Sequence, residues 1–170
     1  ENMKKKKIIR QITDNALIAA IYYVLTIILG GFAFNDVQFR ISEILLFLIF
    51  FRKDFVIGVT LGCLLANLHS LLQPWDVIFG TLATLLSGVL IAFSKRLYWG
   101  VIWPTIINAV VVGLMLHIIL DLPLFATMGL VAIGEFVVLL LGHAVFSLLA
   151  KQPAFLNLIM AEQRKEEKDG

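Results

Sequence analysis

The sequence predicts an all-α integral membrane protein, a bundle of six transmembrane helices with both termini in the cytoplasm. Two observations carry that expectation. Of the 170 residues, 60% are hydrophobic, and they gather into six runs at 16–34, 39–51, 55–72, 77–93, 97–120 and 122–150. Crossing a hydrocarbon core of roughly 30 Å takes about twenty apolar residues at 1.5 Å each, and most of these runs qualify directly or with slight extension into their flanks. Charge placement is the second observation. All but one of the fourteen Lys and Arg residues lie in gaps that alternate along the chain: Lys4, Lys5, Lys6, Lys7 and Arg10, then Arg52 and Lys53, then Lys95 and Arg96, then Lys151, Arg164, Lys165 and Lys168. Cation-rich loops face the cytoplasm. The other gaps hold Asp36 with Arg40, Asp76 and Asp121, so the outer loops are short and nearly free of cations.

The chain therefore divides into a basic cytoplasmic segment at 1–15, one six-helix membrane domain at 16–150 and a cytoplasmic tail at 151–170. Residues 155–160 of the tail read as an interfacial helix ahead of mixed charge. The formal charge of +2 comes from lysines placed to meet anionic lipid, and points to no nucleic-acid partner. Lysines ahead of an apolar run also begin secretory leaders, but this run is long and no clear small-x-small cleavage site follows it. Cys63 is the sole cysteine, lies in the third run and is read as packing.

Each run carries its own signal. The first has a patch of small residues, Ala16, Ala19 and Ala20, with Ala16 and Ala20 one turn apart, which packs internally or receives a helix of another protein. The apolar part of the second is too short to cross alone, so its helix takes in part of 36–40 and draws Arg40 and Glu43 toward the membrane. At i and i+3 those two share a helix face and can form a charge-assisted hydrogen bond. Small residues at four-residue spacing mark packing ridges: Gly58, Gly62 and Ala66 on the third run, Gly80, Thr84 and Gly88 on the fourth, Ala109 and Gly113 on the fifth.

Polar side chains at membrane depth are costly and mark ligand paths. Here they are Arg40, Glu43, Asn67, Asp76, Asn108 and Glu135, all in the outer half or at the midplane. Asp76 also fits an N-cap, and Asn67 and Asn108 fit interhelical hydrogen bonds. Glu135 is the hardest to read as structural, because a carboxylate roughly 15 Å deep needs a partner, a proton or a ligand. The asymmetry predicts a pocket open to the outside, with Phe34, Phe39 and Trp75 at its mouth to stack on a planar ligand; an interfacial belt is the other reading of Trp75, Trp99 and Trp103. No phosphate-binding loop, zinc-binding His-Glu-x-x-His or nucleophile elbow is present. His69, His117 and His143 occupy three runs at different depths, which leaves a histidine-dependent enzyme or metal protein as the rival class.

Five stretches carry a resemblance. Val37-Gln38-Phe39-Arg40-Ile41-Ser42-Glu43, Gly62-Cys63-Leu64-Leu65-Ala66-Asn67, the segment from Asp76 to Thr84, the segment from Pro104 to Ala109, and Gly134-Glu135 occur in that order. On these the chain resembles the QueT family, the substrate-binding S components of energy-coupling factor (ECF) transporters for queuosine precursors. The resemblance implies a six-helix bundle of the S-component type in the bacterial plasma membrane that captures a 7-deazaguanine, preQ1 first among the choices, outside the cell. It implies no cofactor on this chain, since ATP is bound and hydrolysed by two cytoplasmic ATPases joined through a transmembrane coupling protein. Docking of that protein would use Ala16, Ala19 and Ala20. The substrate site would comprise Arg40, Glu43, Asn67, Asp76, Asn108, Glu135, Phe39 and Trp75, under a lid at 30–40. Glu135 would take the guanine-like edge, Asn67 and Asn108 would be amide partners, Asp76 or Glu43 would meet the ammonium group, and Arg40 would hold Glu43 or contact the carbonyl. Another purine-like base, queuine, preQ0 or a vitamin remain alternative ligands.

Overall fold

A computed structural model describes residues 2–29 and 40–160, and every regular element among them is helical. There are seven helices rather than six: α1 (Asn2–Ile28), α2 (Ile41–Phe51), α3 (Phe55–Asn67), α4 (Asp76–Ala92), α5 (Trp99–Leu120), α6 (Leu124–Leu149) and α7 (Pro153–Ile159). The seventh is the short tail helix, opened by Pro153 at its first position, where a missing N–H costs nothing. Among the described residues, only α1, α5 and α6 are long and apolar enough to cross a membrane. The shorter three fall below the predicted spans for local reasons. Past Asn67 the chain proceeds in turns to Pro74, which disfavours helix in the residue before it. α2 starts as a tight 3-10 stretch, Ile41–Leu46, and α4 starts as a wide π turn, Asp76–Gly80. The predicted lid, with Phe34, Asp36 and Phe39, and the charged tail at 161–170 lie outside the described residues.

Polarity is inverted relative to a water-soluble bundle. Isoleucine, leucine, valine and phenylalanine side chains such as Leu17, Ile57, Leu61, Ile118, Phe125 and Leu141 coat the outside, while Asn15, Thr26, Arg40, Glu43, Asn67, Asp76, Asn108 and Glu135 are buried. In lipid an apolar exterior costs nothing and a polar side chain must find its partner within.

α1 and α3 run in the same direction and approach closely along the ridge that the sequence marks. The Gly58 N–H donates to Asn15 Oδ1 at 2.7 Å. A Cβ added at Gly62 would lie 2.6 Å from the Tyr22 Cβ and 2.8 Å from the Ala19 carbonyl. Hence Ala19 is buried against α3, whereas Ala16 and Ala20 are exposed on the outer face of the same helix. On the other side of the bundle Gly113 of α5 sits against Met128 of α6, and Gly88 of α4 against Ile49 of α2. Asp121, left-handed at φ 53°, ends α5 and turns the chain into α6.

The cationic gaps meet at one end. Arg52 donates through Nη1 to Asp14 Oδ2 of α1 at 2.7 Å and through Nη2 to Asp54 Oδ2 at 2.6 Å. Burial would raise the Asp54 carboxyl, but hydrogen bonding and charge from Arg52 outweigh it and hold the group below the ordinary range. Lys53 lies over the Phe93 ring beyond α4, and Phe51 meets Phe155 of α7 edge-on. The start of α1, the loops at 52–54 and 93–96, and α7 thus share one end of the bundle.

The α1–α3 ridge generates a stability test. Gly62→Val should lower the unfolding free energy in detergent by about 2 kcal/mol, because backbone atoms of α1 must shift to admit the side chain. Gly129→Ala is the control: an added Cβ there meets nothing within 4 Å, so its melting midpoint should hold or rise. Equal midpoints for the Gly62 variant and wild type would refute the ridge.

Candidate functional site

At the end opposite the cationic loops, the turn between α3 and α4 is stitched by Asn67. Its Nδ2 donates to the Asp76 carbonyl at 2.9 Å and lies 3.3 Å from Cys63 Sγ, while its Oδ1 accepts from Arg40 Nη2 at 3.5 Å. Gly80 makes this possible. A Cβ there would stand 2.8 Å from the Asn67 amide and 3.2 Å from both terminal guanidinium nitrogens of Arg40. Asp76 does not cap α4; its Oδ2 accepts from the Ser70 hydroxyl, and its Oδ1 is left without a partner.

One layer deeper sits Glu43. The predicted ion pair with Arg40 does not form, because Arg40 precedes the 3-10 turn of α2 and gives only its backbone carbonyl to the Glu43 N–H, at 2.9 Å. The carboxylate instead accepts at Oε1 from the Tyr22 hydroxyl of α1 at 2.5 Å and the Thr84 hydroxyl of α4 at 2.9 Å. Beside it the Thr26 and Ser42 hydroxyls are hydrogen-bonded at 2.7 Å, a second polar tie between α1 and α2.

The third group follows from helix register. Ala83, Val112 and Val131 pack together on α4, α5 and α6. α5 runs opposite to the other two, so one turn further toward the cationic end these helices present Ser87, Asn108 and Glu135. Glu135 is about 16 Å from the start of α6 at Leu124 and within electrostatic reach of Glu43 and Arg40.

All the fully buried side-chain polar atoms without a partner among the described residues belong to these groups: Arg40 Nη1, Glu43 Oε2, Asp76 Oδ1, Ser87 Oγ, both amide atoms of Asn108, and Glu135 Oε2. Unmade hydrogen bonds on buried groups cost about 1–3 kcal/mol each, so folded chains rarely gather them without a use. The ionisable groups gathered here are three acids and one guanidinium.

The structure brings together six of the residues singled out by sequence and sets others apart. Trp75 is 42% exposed and stacks on Phe79 over an apolar groove of about 550 Å³ between α4 and α5. Phe39 is outside the described residues. Ala16 lines a separate groove of about 380 Å³ with Ile8, Ile12, Ile57 and Leu61, near the cationic end. The three histidines are dispersed: His69 lies against Tyr23, His117 Nδ1 is 2.5 Å from the Leu122 carbonyl, and His143 meets the Phe47 ring edge-on. No group of three metal-ligating side chains occurs among the described residues. Sequence reasoning missed Tyr22, Ser87 and the hydrogen bonds of Cys63, and read Thr84 only as part of a packing ridge. Tyr22 could have been found one turn past Ile18 on the face of α1 that meets the glycine ridge, and Ser87 by its register with Gly80 on α4.

An apolar-coated helical bundle built around unpaired polar groups is the architecture of a multi-pass membrane transporter. The chain belongs to the QueT transporter family, whose sequence pattern matches residues 12–151. It is 34% identical over 168 residues to the Queuosine precursor transporter QueT of Lactococcus lactis subsp. cremoris (strain MG1363), covering 88% of this chain and 97% of that protein. No solved structure matches it. It is thus a multi-pass membrane protein of bacteria.

Proposed function

We propose that this chain is the substrate-binding subunit of an ECF-type importer and captures a queuosine precursor, a 7-deazaguanine with preQ1 favoured, in a pocket facing outward. The observation that carries this reading is the set of unpaired buried atoms on Arg40, Glu43, Asp76, Asn108 and Glu135. A deazaguanine presents adjacent ring N–H and amino donors, which suit Glu135, and a carbonyl, which suits Arg40 Nη1 or the Asn108 amide. Asn67, already bonded to Asp76 and Arg40, acts by aiming the guanidinium. Three acids against one cation favour a ligand bringing positive charge, since a buried carboxylate without a counter-charge is costly. PreQ1 has an ammonium group for Glu43 or Asp76; the nitrile of preQ0 has none. Queuine also carries a cation and is the closer alternative. ATP would be hydrolysed by two partner ATPases, with a transmembrane coupling protein seated on Ala16 and Ala20.

Sidedness comes from the shared end of the cationic loops together with the positive-inside rule. In a Cys63→Ala background, a cysteine at Gln73 should react with an impermeant thiol reagent in whole cells and one at Ser94 should not. Labelling at Ser94 alone would put the acids on the cytoplasmic side.

Glu135→Gln keeps the shape but points an amide donor at ligand donors. PreQ1 affinity, measured by calorimetry, should fall by about 2 kcal/mol or roughly thirtyfold. Unchanged affinity would return Glu135 to a structural role.

Ala16→Leu or Ala20→Leu alters the exposed face of α1, not the face on which Tyr22 meets Glu43. Precursor binding by the isolated protein should persist, while uptake in cells and co-purification with the coupling protein fall sharply. Normal uptake by both variants would move docking to another surface.

A further inference from the structure

We propose that Tyr22 and Thr84 are positioning residues: they pin Glu43 by Oε1 and thereby fix the direction in which Oε2 meets the ligand. This deepens the binding reading above and rests on it. Both hydroxyls donate to the same oxygen, from helices on either side of α2, and the other oxygen is buried and unpartnered. A free carboxylate has a broad terminal torsion and can offer either oxygen in many directions; one held by two donors at a single oxygen presents the other along one line.

The two donors are themselves fixed. Tyr22 is 1% exposed, with its Cβ wedged over Gly62, so the ring has little room to swing. Thr84 makes no bond to the carbonyl one turn back, whereas Thr26, Thr105 and Thr127 each do, at 2.7 to 2.9 Å. Its hydroxyl reaches across to α2 instead. Glu43 is consequently a single-point acceptor, suited to one N–H of an ammonium group, and the paired donors of a guanine-like edge are left to Glu135.

The test is a double-mutant cycle on the full-length chain in detergent, read by calorimetric titration with preQ1. Tyr22→Phe should weaken binding about tenfold, and should change it less than about twofold when Glu43→Gln is already present, since the hydroxyl acts only through that carboxylate. Thr84→Val should behave like Tyr22→Phe, and Thr84→Ser should restore affinity to within about twofold of wild type. Equal losses with and without Glu43→Gln, or a Thr84→Ser as weak as Thr84→Val, would mean that the two side chains support the bundle and do not aim the acid. Should Tyr22→Phe fail to fold, the Thr84 pair measured in both backgrounds decides the matter. A wild-type chain that binds no deazaguanine overturns the substrate reading and this inference with it; wild-type binding with an additive cycle overturns this inference alone.

Discussion

Lipid supplies no hydrogen bonds, and that constraint organises the whole molecule. Each polar side chain buried along these helices must be answered by another, and the helices therefore dock where such answers exist. Tyr22 and Thr26 of α1 meet Glu43 and Ser42 of α2; Asn67 of α3 meets the start of α4; Thr84 of α4 closes the circle back to Glu43. Dispersion between apolar surfaces is nearly as good against lipid tails as against another helix, so these directional contacts and the glycine ridges select one arrangement from many. Where the answers stop, at Asn108, Ser87 and the free oxygens of Glu43, Asp76 and Glu135, the bundle holds unused hydrogen-bonding capacity within it.

Two ends with different characters follow from this. At the cationic end Arg52 is fully engaged by Asp14 and Asp54 and lies over the Phe55 ring of α3, while Phe51, Phe146 and Phe155 of α2, α6 and α7 are in mutual contact at the same end. At the other end, among the described residues, the Arg40 guanidinium has one long hydrogen bond, to Asn67, and its Nη1 has no partner. One arginine ties loops together through two carboxylates, whereas the other meets an amide.

Much of the architecture is legible in the sequence because hydropathy and charge act over twenty residues at a time. The six apolar runs each yield a helix, and the tail helix appears where amphipathic residues follow Ala150. The cores of the helices obey the small-residue spacing at Gly58, Gly62, Gly88 and Gly113. Buried Arg40, Glu43, Asn67, Asp76, Asn108 and Glu135 stand out because their cost in lipid is large. Hydroxyl groups are read as mere packing or passed over for the opposite reason: in a helix a Thr or Ser can satisfy itself on the preceding turn, so neither Thr84, placed in a packing ridge, nor Ser87 looks expensive until its backbone bond is found missing. The Arg40–Glu43 pairing failed because spacing alone assumes a continuous α-helix, and the chain enters α2 through a 3-10 stretch. Trp75 faces outward since its neighbour Asp76 takes the buried position, and adjacent residues on a helix cannot share a face.

Helix length has a mechanical consequence. α3 has 13 residues and so extends about 20 Å, against a hydrocarbon thickness of roughly 30 Å. Its neighbour α1 is twice as long. A bilayer surrounding so uneven a perimeter must thin beside α3 or let headgroups and water dip toward Asn67, and each ångström of mismatch costs a fraction of a kcal/mol. The depression thins the low-dielectric layer between bulk water and the buried side chains of Arg40 and Asp76. Bilayer thickness thereby becomes a physical variable of this protein, acting on it without touching a single residue of the site.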